Sequence, residues 1–271
     1  MIEKITSKQN PKIKFFIKLR DRAKRKRTGM FIVEGFRELT RALDSEIESE
    51  FFLFCPKFFK NQEFEKLVER AQMLHIPSFE LTADVFEKIS IRERCDGILG
   101  ICHIWETRLD DFIPPKNPLL LVVDGIEKPG NLGALIRSAE SAGVDAMIVC
   151  SSVTDIFNHN VVRASQGALF SLPIFTADRA EARDFLLKHG LAVLATTPKS
   201  STLYWEINMN RPSAVIVGSE HDGLPDCWLS GDDVQTMAIP QRGLSDSLNV
   251  NDAAVVVLYE AVRQRYQATQ I

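Results

Sequence analysis

The chain has only five cysteines and five histidines in 271 residues, and neither type clusters. Cys55, Cys95, Cys102, Cys150 and Cys227 are odd in number, isolated and mostly set in apolar runs. That pattern argues against a disulfide framework or a zinc site and for reduced core thiols. No two histidines stand at ligand spacing on a helix face, so no metal is expected. Long apolar runs are also missing. Stretches such as Leu119 to Val123 and Ala253 to Leu258 fall far short of the roughly 20 residues a spanning helix needs, and the N-terminus has no apolar signal core. No membrane partner is expected, and the expected location is the cytoplasm. There is no three-glycine dinucleotide fingerprint, no Gly-x-Ser-x-Gly elbow, no phosphate loop, no internal repeat and no low-complexity tract.

What is present is a 45% hydrophobic chain long enough to bury two cores. Its formal net charge of −3 hides an asymmetry, because Met1 to Arg27 holds eleven Lys and Arg against two acids. The remainder is acidic. A basic end on an acidic body suits a polyanionic partner such as nucleic acid, with Lys8, Lys12, Arg22, Lys24, Arg25, Lys26 and Arg27 as candidate contacts. The plainer alternative is a solvated amphipathic helix, since Ile13, Phe16, Ile17 and Leu19 supply a partial apolar face.

The proline-rich run Phe112-Ile113-Pro114-Pro115-Lys116-Asn117-Pro118 predicts a boundary, giving an N-terminal domain at 1–113, a linker at 114–118 and a second domain at 119–271. In the first, strands are expected at Met30–Val33, Phe51–Cys55 and Gly97–Ile104, with helices at Gly35–Leu43 and Glu63–Leu74. In the second, strands near Leu119–Val123, Ala146–Cys150, Leu191–Ala195, Ala214–Val217 and Thr236–Ile239 alternate with helical patterns, ending in a helix at about Val250–Arg265. Strict alternation of this kind predicts an α/β fold with a mostly parallel sheet covered on both faces.

Three loops follow such strands and would meet at the carboxyl edge of one sheet, where ligand crevices form in open α/β folds. The first runs from Asp124 to Asn131-Leu132-Gly133-Ala134-Leu135-Ile136-Arg137, with Asn131 able to cap the helix that carries Arg137. The second is Gly218-Ser219-Glu220-His221-Asp222-Gly223-Leu224. Gly218 there lets a ligand approach the backbone, and Gly223 permits a tight turn. Ser219 and His221, two residues apart, do not form a nucleophilic relay. The third links Ile239-Pro240 through Gln241-Arg242-Gly243-Leu244-Ser245-Asp246 to Ser247-Leu248-Asn249-Val250, where Ser247 and Asn249 are suited to capping the last helix.

Taken together the three loops resemble the three motifs of the SpoU (TrmH-like) family of RNA 2′-O-ribose methyltransferases, within the SPOUT superfamily. Phe31-Ile32-Val33-Glu34-Gly35 stands where a short Val-Glu-Gly signature falls in that family's substrate-binding domain. The resemblance implies a C-terminal SPOUT parallel sheet with a deep trefoil knot, preceded by a smaller α/β, L30e-like domain that binds RNA. It implies a homodimer that uses S-adenosylmethionine and no metal to methylate a ribose 2′-hydroxyl, in 23S ribosomal RNA or alternatively in transfer RNA. Gly218, Ile239 and Leu248 match the family's cofactor-holding backbone positions, with Thr196 lining the same pocket. Asn131, Arg137, Glu220, Ser247 and Asn249 match its polar active-site set. Asn251-Asp252 and Arg242 depart from the family pattern beside that pocket. A competing reading is a non-catalytic RNA-binding or assembly protein, and a nucleotide hydrolase lacks its phosphate loop.

Overall fold

The computed structural model describes residues 2–92, 94–244 and 247–268, so Ser245 and Asp246 of the third loop lie outside the described residues. The chain divides into two compact units, residues 1–105 with 155–171 and residues 106–154 with 172–271.

The first unit opens with β1 (Lys4–Ile5), α1 (Pro11–Lys18), α2 (Arg22–Thr28), β2 (Met30–Glu34) and α3 (Phe36–Asp44). It continues with β3 (Ser49–Phe54), α4 (Glu63–Met73), β4 (Ser78–Leu81), α5 (Ala83–Ile89) and β5 (Ile98–His103). The strands form one mixed sheet in the order β1-β4-β3-β5-β2. The basic N-terminal segment is folded into this unit. Asn10 and Asp21 accept from Lys12 N and Lys24 N to cap α1 and α2, and Gly29 closes α2 at φ 64°. Ile13, Phe16 and Leu19 are fully buried and share a core with Ile32, Leu53, Leu81 and Phe86. Their apolar stripe fixes which face of α1 is spent, leaving the lysines on the other.

The chain then enters the second unit with β6 (Leu119–Asp124), α6 (Pro129–Ser141) and β7 (Ala146–Cys150). It returns to the first for α7 (His159–Ser165), capped by Asn158. Phe157 and Phe170, on either side of α7, pack their rings against Phe31, which explains the return: the large apolar side chains of this stretch belong to the first core. Back in the second unit follow β8 (Ile174–Ala177), α8 (Arg179–Lys188), β9 (Ala192–Thr196), β10 (Ser213–Val217), α9 (Asp226–Leu229), β11 (Val234–Met237) and α10 (Val250–Ala268).

The second sheet is parallel throughout in the order β11-β9-β10-β6-β7-β8. Every residue of β6, β7 and β10 is buried, the signature of strands covered on both faces. The second unit begins at Glu106, ahead of the 114–118 stretch expected to part the domains, because Leu109 and Phe112 are already packed with its core. The order in which strands are added reverses between β6 and β10, with β7 and β8 on one side and β9 and β11 on the other. The loops at the carboxyl ends of these strands therefore flank a switch point, the place where open sheets part to admit ligands. Among the described residues, no helix is long and apolar enough to cross a membrane, and no group of three or more His, Cys, Asp or Glu side chains is placed to hold a metal ion.

Candidate functional site

At that edge lies a cavity of about 370 Å³. Thr196 at the end of β9, Gly218 after β10, Ile239 after β11 and Leu248 before α10 all line it, so four positions spread over fifty residues of sequence share one space. Val217, Leu224, Val250 and Ala253 give it apolar walls, while Glu220, Asp222 and Ser247 stand at its polar side. The size and mixed lining suit a small organic cofactor.

Local geometry explains the loop that forms its floor. Ser219 and Gly223 exchange backbone hydrogen bonds of 3.2 Å in both directions, and Asp222 N donates to Ser219 Oγ at 3.0 Å. Gly223 sits at φ 70°, the left-handed turn expected of it. Gly218 is required for a different reason from the expected ligand approach. A Cβ there would lie 2.3 Å from the carbonyl carbon and oxygen of Gly223, so the loop's own return leaves no room for a side chain. Thr196 Oγ1 donates to Ile216 O at 2.9 Å and ties β9 to β10 beside the cavity.

The polar residues divide into two groups. Asn131 and Glu220 come together, the Asn131 amide donating to the Glu220 carboxylate and so linking α6 to the second loop. Asn131 does not cap its helix as expected: Pro129 takes the first helical position, Lys128 is the cap, and Asn131 falls inside the first turn with its side chain turned to Glu220. Asn249 does act as a cap, its Oδ1 accepting from Asn251 N at 3.0 Å at the start of α10. Asn251 in turn accepts from Ser138 Oγ at 2.8 Å, so this departure from the family pattern joins α10 to α6. Arg137 projects from α6 and is exposed. Among the described residues it has no hydrogen bond or ion pair, so a long cation is held available to an outside anion. His221 is exposed, and the hydrogen bond it donates to the Asp222 carboxylate holds its imidazole above the usual range.

Sequence reasoning passed over the anchor under these loops. Asp124, the last residue of β6, is 1% exposed. It accepts from Arg179 Nε at 2.7 Å and Nη2 at 3.1 Å, and from Trp228 Nε1 at 2.6 Å. This fork, with the indole as third donor, fixes the start of the first loop against α8 and α9. The available signal was the acid ending an otherwise apolar run. Nearby, burial pushes the Cys150 thiol up to about 12, as it does Cys102 in the first unit, so both are inert core groups.

The basic residues of the first unit are placed unequally. Lys8 pairs with Asp84 at 3.4 Å, and Arg22 approaches Asp155 at 3.8 Å. Lys12 lies over the Phe79 ring and Lys24 over the Phe15 ring. Lys26 and Arg27 are exposed. Arg25 departs from the expected surface role: its side chain is 3% exposed and bonds Asp155 Oδ2, Leu19 O and Arg20 O. It is an internal strut that joins α2 to the returning segment before α7.

A parallel α/β unit with a cavity of this size at its switch point belongs to the doubly wound class of ligand-binding folds, and Arg137 is not among the residues that line the cavity. Comparison with known proteins gives the family. Residues 118–259 match the model of the SpoU rRNA Methylase family, and residues 10–100 match the MRM3-like substrate binding domain. The chain belongs to the SpoU family. It is 29% identical to the 23S rRNA (guanosine(2553)-2′-O)-methyltransferase RlmP of Bacillus subtilis (strain 168), over 95% of this chain and 98% of that protein. A crystal structure of an RNA 2′-O ribose methyltransferase is 39% identical and superimposes with a TM-score of 0.86, covering 97% of this chain and 99% of that one. The AdoMet-bound rRNA methyltransferase of Sinorhizobium meliloti is 28% identical with a TM-score of 0.88, covering 97% and 98%.

Proposed function

We propose that the chain is an S-adenosylmethionine-dependent methyltransferase that modifies a ribose 2′-hydroxyl in 23S ribosomal RNA and works in the cytoplasm as a homodimer. The observation that carries this reading is the convergence of Thr196, Gly218, Ile239 and Leu248 on one cavity, whose lining residue Glu220 is bonded by Asn131 of α6, the helix that also carries Arg137. The residues present fit the cofactor. The cavity has apolar walls for an adenine ring, and Gly218, Ile239 and Leu248, which line it, would read the ring's edge through main-chain groups without dedicated side chains. In this reading the second unit carries the family's knot.

S-adenosylmethionine supplies an electrophilic methyl group for in-line attack by the hydroxyl oxygen. The protein's task is alignment and charge stabilisation, and positioning alone contributes several kcal/mol. Arg137, with a guanidinium pKa above about 12, is a poor proton acceptor. It grips an RNA phosphate and stabilises the forming alkoxide, while the proton passes to that phosphate or a neighbouring group. Asn131, held by Glu220, fixes the loop against α6 and orients the hydroxyl, and Ser247 and Asn249 position the last turn of the cavity.

Mapping ribose methylation across total RNA from cells with and without the protein tests this. A single 23S site that loses its methyl group supports the reading. An unchanged ribosomal map, or a change confined to transfer RNA, overturns it.

A further inference from the structure

The first unit holds a second cavity, of about 590 Å³, that the methyl-transfer chemistry does not use. It sits where the Val33-Glu34-Gly35 stretch delivers the chain into α3. Glu34 explains its shape. The carboxylate accepts from Ser90 Oγ at 2.6 Å and Ile91 N at 2.9 Å, and the Glu34 carbonyl accepts from Arg92 Nη2 at 2.8 Å. Gly35, at φ 121°, is bare because a Cβ would lie 2.4 Å from Arg92 Nη2. Arg92 is thus clamped in place, and it bridges the buried acids Glu38 at 2.7 Å and Asp96 at 3.5 Å.

Three features of the lining point to a ligand. Asp96 has a side chain 7% exposed, and its Oδ1 is buried without a hydrogen-bond partner among the described residues; Arg92 Nε is equally unmatched. A buried acceptor and a buried donor in the lining each carry a desolvation penalty that a hydrogen-bonding ligand reaching them would relieve. One wall is aromatic: the Phe36 and Phe64 rings stand 4.6 Å apart, with Phe36 half-exposed. The rim is cationic. Arg37, Lys60 and Arg163 line it with no acidic partner among the described residues, Arg37 meeting only the neutral Gln166 amide.

We infer that this cavity holds one unstacked nucleotide of the RNA substrate, an inference that rests on the RNA-modifying reading above. The base lies against Phe36, with its edge toward the Asp96 and Arg92 side chains that line the cavity. The flanking phosphates meet Arg37, Lys60 and Arg163. Single strands are recognised by this combination of an aromatic face and a positive border.

The test uses the full chain and a fluorescent single-stranded ten-nucleotide cytidine RNA, read by anisotropy at several salt concentrations. The double variant Arg37→Gln, Arg163→Gln, changed at exposed positions, is expected to bind about tenfold more weakly with a salt slope lower by about 1.4, the value for two lost phosphate contacts on a single strand. Phe36→Leu is expected to weaken binding at least about fivefold through lost stacking. Asp96→Asn keeps the shape and replaces the unmatched acceptor with a donor, and it is expected to weaken RNA while circular dichroism stays unchanged. Equal RNA binding by all three overturns the inference. Weakening by the arginine pair alone, with inorganic pyrophosphate displacing the RNA, also overturns it in favour of a bare phosphate site. Failure of the methyltransferase reading looks different: the wild-type chain would transfer no methyl group to ribosomal RNA, whatever the variants do to oligonucleotide binding.

Discussion

The two cavities are built by opposite means. The one at the edge of the parallel sheet is made from strand ends and glycine turns, with apolar walls and with Lys199, Glu220 and Asp222 among its lining. The one in the first unit is made from side chains, with four cations and two acids around two aromatic rings. A backbone-built site is sensitive to any added atom and tolerant of surface charge. A side-chain-built site is the reverse. Substitutions that respect or violate this division separate the two roles.

The largest effect is expected from Gly218→Val. Its side chain has no space beside the Gly223 carbonyl, so the floor loop must shift, and S-adenosylmethionine affinity falls by at least about 100-fold, roughly 2.7 kcal/mol. Titration calorimetry checks this, and binding to cytidine RNA should stay at the wild-type level. Next comes Arg137→Ala, expected to slow single-turnover methyl transfer by about 100-fold or more with cofactor affinity unchanged. Arg137→Lys keeps the charge and loses the planar fork, so it should recover only part of the rate. A fully active lysine variant contradicts the geometric role given to the guanidinium.

A smaller effect is expected from Trp228→Phe, which leaves the Asp124 carboxylate one donor short in a buried setting. A loss of about 1–3 kcal/mol in unfolding free energy is expected, measured by urea denaturation. The smallest is a pH effect in the first unit. Burial, reinforced by the nearby Arg25, Arg20 and Arg163 cations, lowers the His159 imidazole from its usual 6.5 to about 4. The unfolded chain therefore binds a proton that the folded chain refuses between these values. The neutral-histidine contribution is complete above about 6.5 and is lost as pH falls toward 4. The thermal midpoint should drop across that window, and His159→Gln should flatten the drop while leaving cofactor binding alone.

The sequence carried the second unit better than the first, for a physical reason. Strands buried on both faces are continuous apolar runs, and β6, β7 and β10 stand within a residue of their expected bounds. The short strands β1, β4 and β8, of two to four residues, leave no periodic signal and were not expected. The return of 155–171 to the first unit was equally illegible. It depends on Phe157 and Phe170 finding Phe31, and no local rule reports a partner so distant.

The same limit governs the sites. The cavity at the sheet edge was legible because its parts follow strands and the sheet brings strand ends together. Arg25 read as a surface cation because its partner Asp155 lies 130 residues away. The start of α6 was available in Pro129, whose ring favours the first helical position, and Asn131 stands two residues beyond it. The cavity in the first unit combines positions 36–38, 60, 64, 92, 96, 163 and 166, and no spacing in the chain announces it.

The central claim is that one space formed by the ends of β9, β10 and β11 binds the methyl donor. Calorimetric titration of the full chain with S-adenosylmethionine tests it most directly, run on the wild type, Gly218→Val and the Arg37→Gln, Arg163→Gln pair. The account expects saturable binding that the first variant abolishes and the second leaves intact. Absence of binding to the wild type, or binding indifferent to Gly218→Val, contradicts it.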